Sequence, residues 1–178
     1  MTLPTPIVAR TARQILRKFA LSDAPDIFAL NADREVTRYL GDDEAFASVE
    51  VALEFLKGYD PYRTEGMGRW AAVDATTNEY LGWCGLRVQP DGDVDLGYRY
   101  KRAAWGRGLA TEASHACLAI AFGPLGLASV VARAPPENAA SIRVMQKVGM
   151  RYDGPSEFAG HPAVLYRIRA ADYAGAQK

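Results

Sequence analysis

Trp105-Gly106-Arg107-Gly108-Leu109-Ala110 lies between a strand-like run, Val94 to Tyr100, and a helix-like run, Leu109 to Phe122. A loop of small residues at a helix start presents unpaired backbone N–H groups, and the helix dipole adds to their pull on an anion. Glycines at 106 and 108 let the backbone approach a phosphate closely and adopt φ angles that other residues avoid. The chemistry that suits such a loop is phosphate or pyrophosphate binding. A Walker loop is excluded, because no G-x-x-x-x-G-K-[ST] occurs. A dinucleotide fingerprint is excluded as well, with Thr111 where its third glycine would fall.

Further along, a strand-like run from Ser129 to Ala134 leads into Pro135-Pro136-Glu137-Asn138 and a second helical pattern. Asn138 is placed to cap that helix, Ile142, Met145 and Val148 share one face, and Gly149 ends it. Ser141 has no nucleophile elbow around it, which argues against a hydrolase triad. The two histidines stand apart: His115 in an alanine-rich helical run, where packing or surface exposure is expected, and His161 in the turn Ala159-Gly160-His161-Pro162. Cys84 and Cys117 have no CxxC or Cys/His spacing, so no metal is expected and both are read as buried, reduced thiols.

The elements that must position these residues follow from periodicity. Gln14 to Phe19 reads as a strand. Ser22 is placed to cap a helix with Pro25 in its first turn and Ile27 and Leu30 buried. A second helix carries Phe46, Val49, Leu53 and Leu56 on one face. Gly58 to Gly68 reads as a loop, in which Tyr59, Tyr62, Arg63 and Glu65 are either solvated or groove-lining. Trp70 to Asp74 and Leu81 to Val88 read as strands around the turn 75–79, with another turn at Pro90 to Asp93. An antiparallel meander therefore feeds strand, anion loop and helix, then strand, helix and two closing strands from Met150 to Arg167. The pattern is α/β or α+β.

Bulk properties agree with one compact domain, 1–178. A chain of 178 residues buries roughly two-thirds of its unfolded surface. Lys plus Arg and Asp plus Glu both total 21, for a formal net charge of zero, so no broad field favours nucleic acid or an anionic membrane. No apolar run reaches the roughly 18–20 residues of a membrane span, and Met1 to Arg10 lacks a signal-peptide layout. A cytoplasmic location is expected.

Taken together, the loop at 105–110 and the segment from Pro135 to Met150 resemble the Gcn5-related N-acetyltransferase (GNAT) superfamily, in the branch of the ribosomal-protein Nα-acetyltransferases (RimJ/RimL-like). Thr11 to Arg17 resembles that branch's opening strand, Val36-Thr37-Arg38-Tyr39-Leu40-Gly41 its early helix end, and Leu96-Gly97-Tyr98 the strand before the pyrophosphate loop. The match runs from about 11 to 168. The resemblance implies a mixed, mostly antiparallel central sheet flanked by helices and splayed at an acetyl-CoA site. It also implies acetyl transfer from acetyl-CoA to an amine acceptor, whether a protein N-terminus, a polyamine or a small amine.

That reaction needs a grip on the cofactor, a neutral amine, stabilisation of the oxyanion and a proton for the departing thiolate. The grip is expected from the backbone N–H groups of Arg107, Gly108, Leu109 and Ala110, with Arg102 and Arg107 as charged candidates for the phosphates. The resemblance adds Asn138 at the pantetheine arm and Arg143 as a phosphate or pantetheine contact. Asp95 falls where the branch often carries glutamate and is the candidate base, directly or through water. Glu112 is expected to compensate the helix dipole, and Trp105 to pack in the loop. Many superfamily members use a tyrosine seven residues after the asparagine as the acid; here that position is Met145, which has no proton to give. The resemblance offers Ser141 in its place. The alternative reading is an acyl-CoA-binding module without turnover, and monomer and homodimer both stay open.

Overall fold

A computed structural model of the chain describes residues 5–40, 46–158 and 160–176. Gly41, the last residue of the 36–41 motif, Ala159 in the turn before His161, and Met1 to Pro4 lie outside these.

The strands are β1 (Ile7–Arg10), β2 (Gln14–Arg17), β3 (Arg69–Asp74), β4 (Tyr80–Val88), β5 (Val94–Tyr100), β6 (Ser129–Ala134), β7 (Arg151–Phe158) and β8 (His161–Arg169). They form one eight-stranded sheet in the order β1-β2-β3-β4-β5-β6-β8-β7. Every neighbouring pair is antiparallel except β5 with β6. The helices are α1 (Ala24–Ala32), α2 (Arg34–Thr37), α3 (Val49–Gly58), α4 (Pro61–Thr64), α5 (Leu109–Phe122), α6 (Ala139–Lys147) and α7 (Ala170–Ala176).

Because side chains alternate along a strand, the sheet has two differently covered faces. On one, α5 and α6 bury Leu86, Leu96, Tyr100, Val130 and Ala132 against Leu109, Cys117, Leu118 and Met145. On the other, α1 and α3 bury Ala71, Val73 and Tyr80, through Ile27, Leu30, Ala52 and Leu56, with Ile15 and Trp83 partly buried beside them. The second face is therefore open over the middle of the sheet. Cys84 and Cys117 meet inside the first core with Sγ atoms 3.5 Å apart. Both are buried free thiols, and burial pushes the Cys117 thiol well above its ordinary range.

The meander, β5, α5 and β6 fall where the pattern predicts them. β1 and α7 are additions, β1 because a short element buries too little to leave a periodic signature, while α2 ends inside the 36–41 stretch read as a helix end. Ser22 does not cap α1. It sits in a 3-10 turn, Leu21–Asp23, and Asp23 takes the N-cap position without a side-chain capping bond. The Asp23 carboxylate instead holds Arg17 through two 2.7 Å bonds and accepts from the Ala20 N–H. The expected 58–68 loop contains α4, started by Pro61, whose fixed φ suits a first helical position.

Candidate active site

Gly106 and Gly108 have φ of 71° and 76°, so both occupy the left-handed region that disfavours a Cβ. Gly108 is the N-cap of α5 and has no side chain with which to cap it. The N–H groups of Leu109, Ala110 and Thr111 consequently meet no acceptor among the described residues; the first bond back to the cap comes from Glu112. The loop is braced from beneath. Gln14, wholly buried, donates to the Leu109 carbonyl at 3.0 Å and accepts from the Tyr100 hydroxyl at 2.8 Å. Trp105 donates its indole N–H to the Tyr100 carbonyl at 2.8 Å while its ring stays half exposed, so its visible role is to hold the loop.

Glu112 does more than face the helix dipole. It accepts from the Thr11 hydroxyl at 2.6 Å and from Arg13 at 2.6 and 2.9 Å, and Arg13 also reaches the Arg107 carbonyl at 2.8 Å. Burial pushes the Glu112 carboxyl up, but hydrogen bonds from Thr11 and Arg13 outweigh it and hold the group below the usual range. The turn between β1 and β2 is thereby pinned to the 105–110 loop and the start of α5. Arg102 is engaged by Asp33 at 2.7 Å. Arg107 and Arg143 are exposed and make no hydrogen bond through their side chains among the described residues.

β5 and β6 share one registered pair, Asp95 with Val131. From Gly97 to Tyr100, β5 is paired on its β4 side alone, so the sheet opens into a cleft beyond that point. At the cleft stands the start of α6, capped as expected by Asn138, whose Oδ1 accepts from the Ser141 N–H at 3.1 Å. The Tyr98 hydroxyl donates to the Ser141 carbonyl at 2.9 Å and lies 3.0 Å from Ser141 Oγ. Burial pushes the Tyr98 phenol well above its ordinary range, so it keeps its proton throughout the physiological range. Met145 is packed in the core.

Asp95 is three residues from Tyr98 and therefore on the opposite face. Its Oδ2 accepts from Arg69 at 2.6 Å, and Arg69 also donates to the carbonyls of Asp95 and Gly85 at 2.9 and 2.6 Å. The guanidinium lies where a Cβ on Gly97 would be, 2.6 Å from its carbon, which explains glycine at that position. Trp83 carries Arg69 and Arg99 near its ring, at 5.3 and 5.2 Å. Next to Arg69, Glu65 accepts from Arg87 at 3.2 Å and from the Val88 N–H at 3.0 Å. Arg69, Arg87, Glu65 and Thr64 line an open groove of about 950 Å³. Tyr59 and Tyr62 brace this edge: the Tyr59 hydroxyl accepts from the Arg69 N–H at 2.6 Å, and the Tyr62 hydroxyl donates to the Arg69 carbonyl. Arg63 pairs with Asp60 at the exposed surface. His115 and His161 are both exposed, His161 as the first residue of β8. Among the described residues, no cluster of His, Cys, Asp or Glu could hold a metal ion, and no helix is long and apolar enough to cross a membrane.

The sequence profile described as "Acetyltransferase (GNAT) domain" matches residues 13–151. This chain belongs to the GNAT family of acetyltransferases. Among its relatives, the uncharacterized protein YkkB of Bacillus subtilis (strain 168) is 35% identical over 64% of this chain, and the match spans 64% of YkkB. The uncharacterized N-acetyltransferase p20 of Bacillus licheniformis is 31% identical over 81% of this chain and 82% of its own. Among solved structures, RimL, the ribosomal L7/L12 α-N-protein acetyltransferase in complex with coenzyme A, superposes with a TM-score of 0.77 over 92% of this chain and 98% of its own. At 17% identity that likeness concerns the fold alone.

Within this GNAT chain, the sequence candidates fall into two groups. Gly108, Leu109, Ala110 and Arg107 gather at one end of the cleft, and Asn138 and Ser141 at its wall, all on the α5/α6 side. Asp95 stands on the other face, in contact with none of them. Sequence reasoning missed three residues. Tyr98 was visible only as part of Leu96-Gly97-Tyr98, Arg69 had no motif around it, and Arg87 lay inside a strand pattern whose polar positions read as solvated.

Proposed function

We propose that this chain transfers the acetyl group of acetyl-CoA to a primary amine, by direct attack while both substrates are bound. The observation that carries this reading is the cleft beyond the Asp95–Val131 pair, which opens beside the unpaired N–H groups at the start of α5. A ligand with an anionic pyrophosphate and a narrow, uncharged arm fits that combination. The backbone of Arg107, Gly108, Leu109 and Ala110 would hold the pyrophosphate, with Arg107 and Arg143 supplying charge. Arg102 would first have to leave Asp33. The Asn138 amide, with its oxygen used in capping, has its nitrogen left for the pantetheine arm. Acetyl-CoA supplies an activated thioester; the protein positions it, orients the amine and manages protons.

The opposed faces suit those tasks. Asp95, fixed by Arg69, has its second oxygen unengaged among the described residues, where it can receive the ammonium group and pass its proton to water. Ser141 is the candidate donor to the departing sulfur, and Tyr98, bonded to the Ser141 carbonyl and 3.0 Å from its Oγ, holds that residue in place. The acceptor class open to the site includes protein N-termini, polyamines and small amines, and the reaction belongs in the cytoplasm. Incubation with acetyl-CoA and an amine panel, following free thiol, tests the proposal. Acceptor-dependent thiol release supports it. Tight acetyl-CoA binding with no release above background favours a binding module instead.

A further inference from the structure

The charges of the open groove are unevenly committed. Arg69 is spent on Asp95 and on two carbonyls. Glu65 uses both oxygens on Arg87 Nε and one of them again on the Val88 N–H. Arg87 meets Glu65 only through Nε, at the long distance of 3.2 Å to either oxygen, and its guanidinium lies 5.9 Å from the centre of the Tyr59 ring. Its Nη1 and Nη2 groups meet no carboxylate or carbonyl among the described residues, and the neutral partner beside the guanidinium is the Tyr59 side chain, whose phenol it favours in the ionised form. The side chain is nonetheless held, since Glu65 grips its inner edge and only 34% of it is exposed. A guanidinium fixed by one edge, with an outer fork that meets no carboxylate or carbonyl among the described residues, is arranged to take a planar anion through two parallel hydrogen bonds.

Register adds the second half of the argument. Arg87 is the cross-strand partner of Asp95, and such partners have Cβ atoms about 4.5–5.5 Å apart. They do not pair with each other: Asp95 faces Arg69, and Arg87 faces Glu65. Among the described residues, a carboxylate oxygen with no partner and a guanidinium fork with no anionic partner therefore stand on neighbouring strands of the same sheet face. The matching ligand is a short zwitterion. A polyamine would need surplus carboxylate here, and both Glu65 oxygens are occupied.

We propose that the acceptor carries a carboxylate a few bonds from its reacting amine, as an α-amino acid does, and that Arg87 binds that carboxylate. This inference rests on the acetyltransferase reading. Its action is on specificity: Arg87 orients the far end of the acceptor and leaves the transfer chemistry to other groups.

The test is a matched acceptor panel assayed with acetyl-CoA by thiol release and mass spectrometry: free α-amino acids, their amides, the amines left when the carboxyl group is removed, and spermidine. The acid should exceed its own amide in kcat/KM by about 10–100-fold, the order expected for losing charged hydrogen bonds, with the difference carried by KM. In Arg87→Met, which keeps the apolar stem, that acid-to-amide ratio should collapse towards one, and Arg87→Lys should restore part of it. A purely structural role for Arg87 would slow all acceptors together and leave the ratio unchanged, which would overturn the assignment. Equal use of acid and amide by the unmodified protein would overturn the inference while leaving the acetyltransferase reading intact. No release with any amine would remove that reading, and the inference with it. Should Arg87→Met fail to fold, the acid-to-amide ratio of the unmodified protein still decides.

Discussion

The two sides of the cleft are made of different material. On the α5/α6 side the site is backbone: left-handed glycines, unpaired N–H groups of Leu109, Ala110 and Thr111, and a helix capped by Asn138. On the opposite face it is side chain, with Arg69 on Asp95 and Arg87 on Glu65 over a floor of Gly85 and Gly97. A backbone site binds what is constant, because its donors do not depend on residue type beyond the absence of a Cβ. A side-chain site binds what varies, because each charge can be replaced singly. The contrast suits a fold that grips one shared cofactor and receives different acceptors.

Mutations should separate the two sides. The largest effect is expected at Asp95: Asp95→Asn should lower turnover at neutral pH by about 10²–10⁴, with recovery as rising pH deprotonates the amine unaided and no change in acetyl-CoA affinity by calorimetry. Matching pH–rate profiles for variant and parent would remove Asp95 from the chemistry. Next comes Ser141→Ala, expected to reduce turnover by about one to two orders of magnitude, the order for one lost donor, again with acetyl-CoA affinity kept. Tyr98→Phe should act by loosening the same hydroxyl, so the double variant should be little worse than Ser141→Ala; fully additive losses under conditions where chemistry limits the rate would show that Tyr98 does not act through Ser141.

The cofactor side should respond oppositely. In Gly108→Val a Cβ would find room, its nearest neighbour being Arg13 at 3.7 Å, but a β-branched residue at φ 76° is strained and narrows the approach to the N–H groups. Acetyl-CoA affinity should fall by about tenfold, the equivalent of ~1.4 kcal/mol, while the protein still folds; a well-folded variant with unaltered affinity would show that the loop does not hold the cofactor. Charges on neither side should matter least for turnover. Asp93 and Asp153 are held below the usual carboxylate range by hydrogen bonds from Arg167. Their folded values lie below their unfolded ones, so the stability they add is present above about pH 4 and is lost as pH falls through the depressed values. Arg167→Met should flatten that acid limb of the thermal-melt profile and leave kinetics at neutral pH alone; an unchanged limb would mean that the network contributes nothing.

The cofactor side was the legible one. Gly106 and Gly108 between a strand and a helix mark the loop that starts α5, and Asn138 with Gly149 brackets α6, because caps, turns and periodicity are local and leave their marks within a few residues. Local signals also misled. Ser22 has the composition of a cap, yet the nearby carboxylate of Asp23 is drawn to Arg17 and the turn tightens before α1 begins. Glu112 looked like a surface charge and is a clasp for Thr11 and Arg13, about a hundred positions away in the chain. Trp105 could be assigned to the loop, but its bond to the Tyr100 carbonyl needed the strand and loop in place.

By itself the sequence determined the order of the main strands and helices from β2 to β8, the glycine-rich loop before α5, the Asn138-capped helix α6 and the lack of a tyrosine at position 145. Only the tertiary structure decided that Asp95 faces Arg69, 26 residues away, that Tyr98 backs Ser141 across 43, and that the two pairs lie on opposite sides of one opened sheet. The reason is geometric. Strand periodicity assigns a residue to one of two faces, but which side chains meet there depends on register, on where β5 parts from β6, and on which helices cover each face.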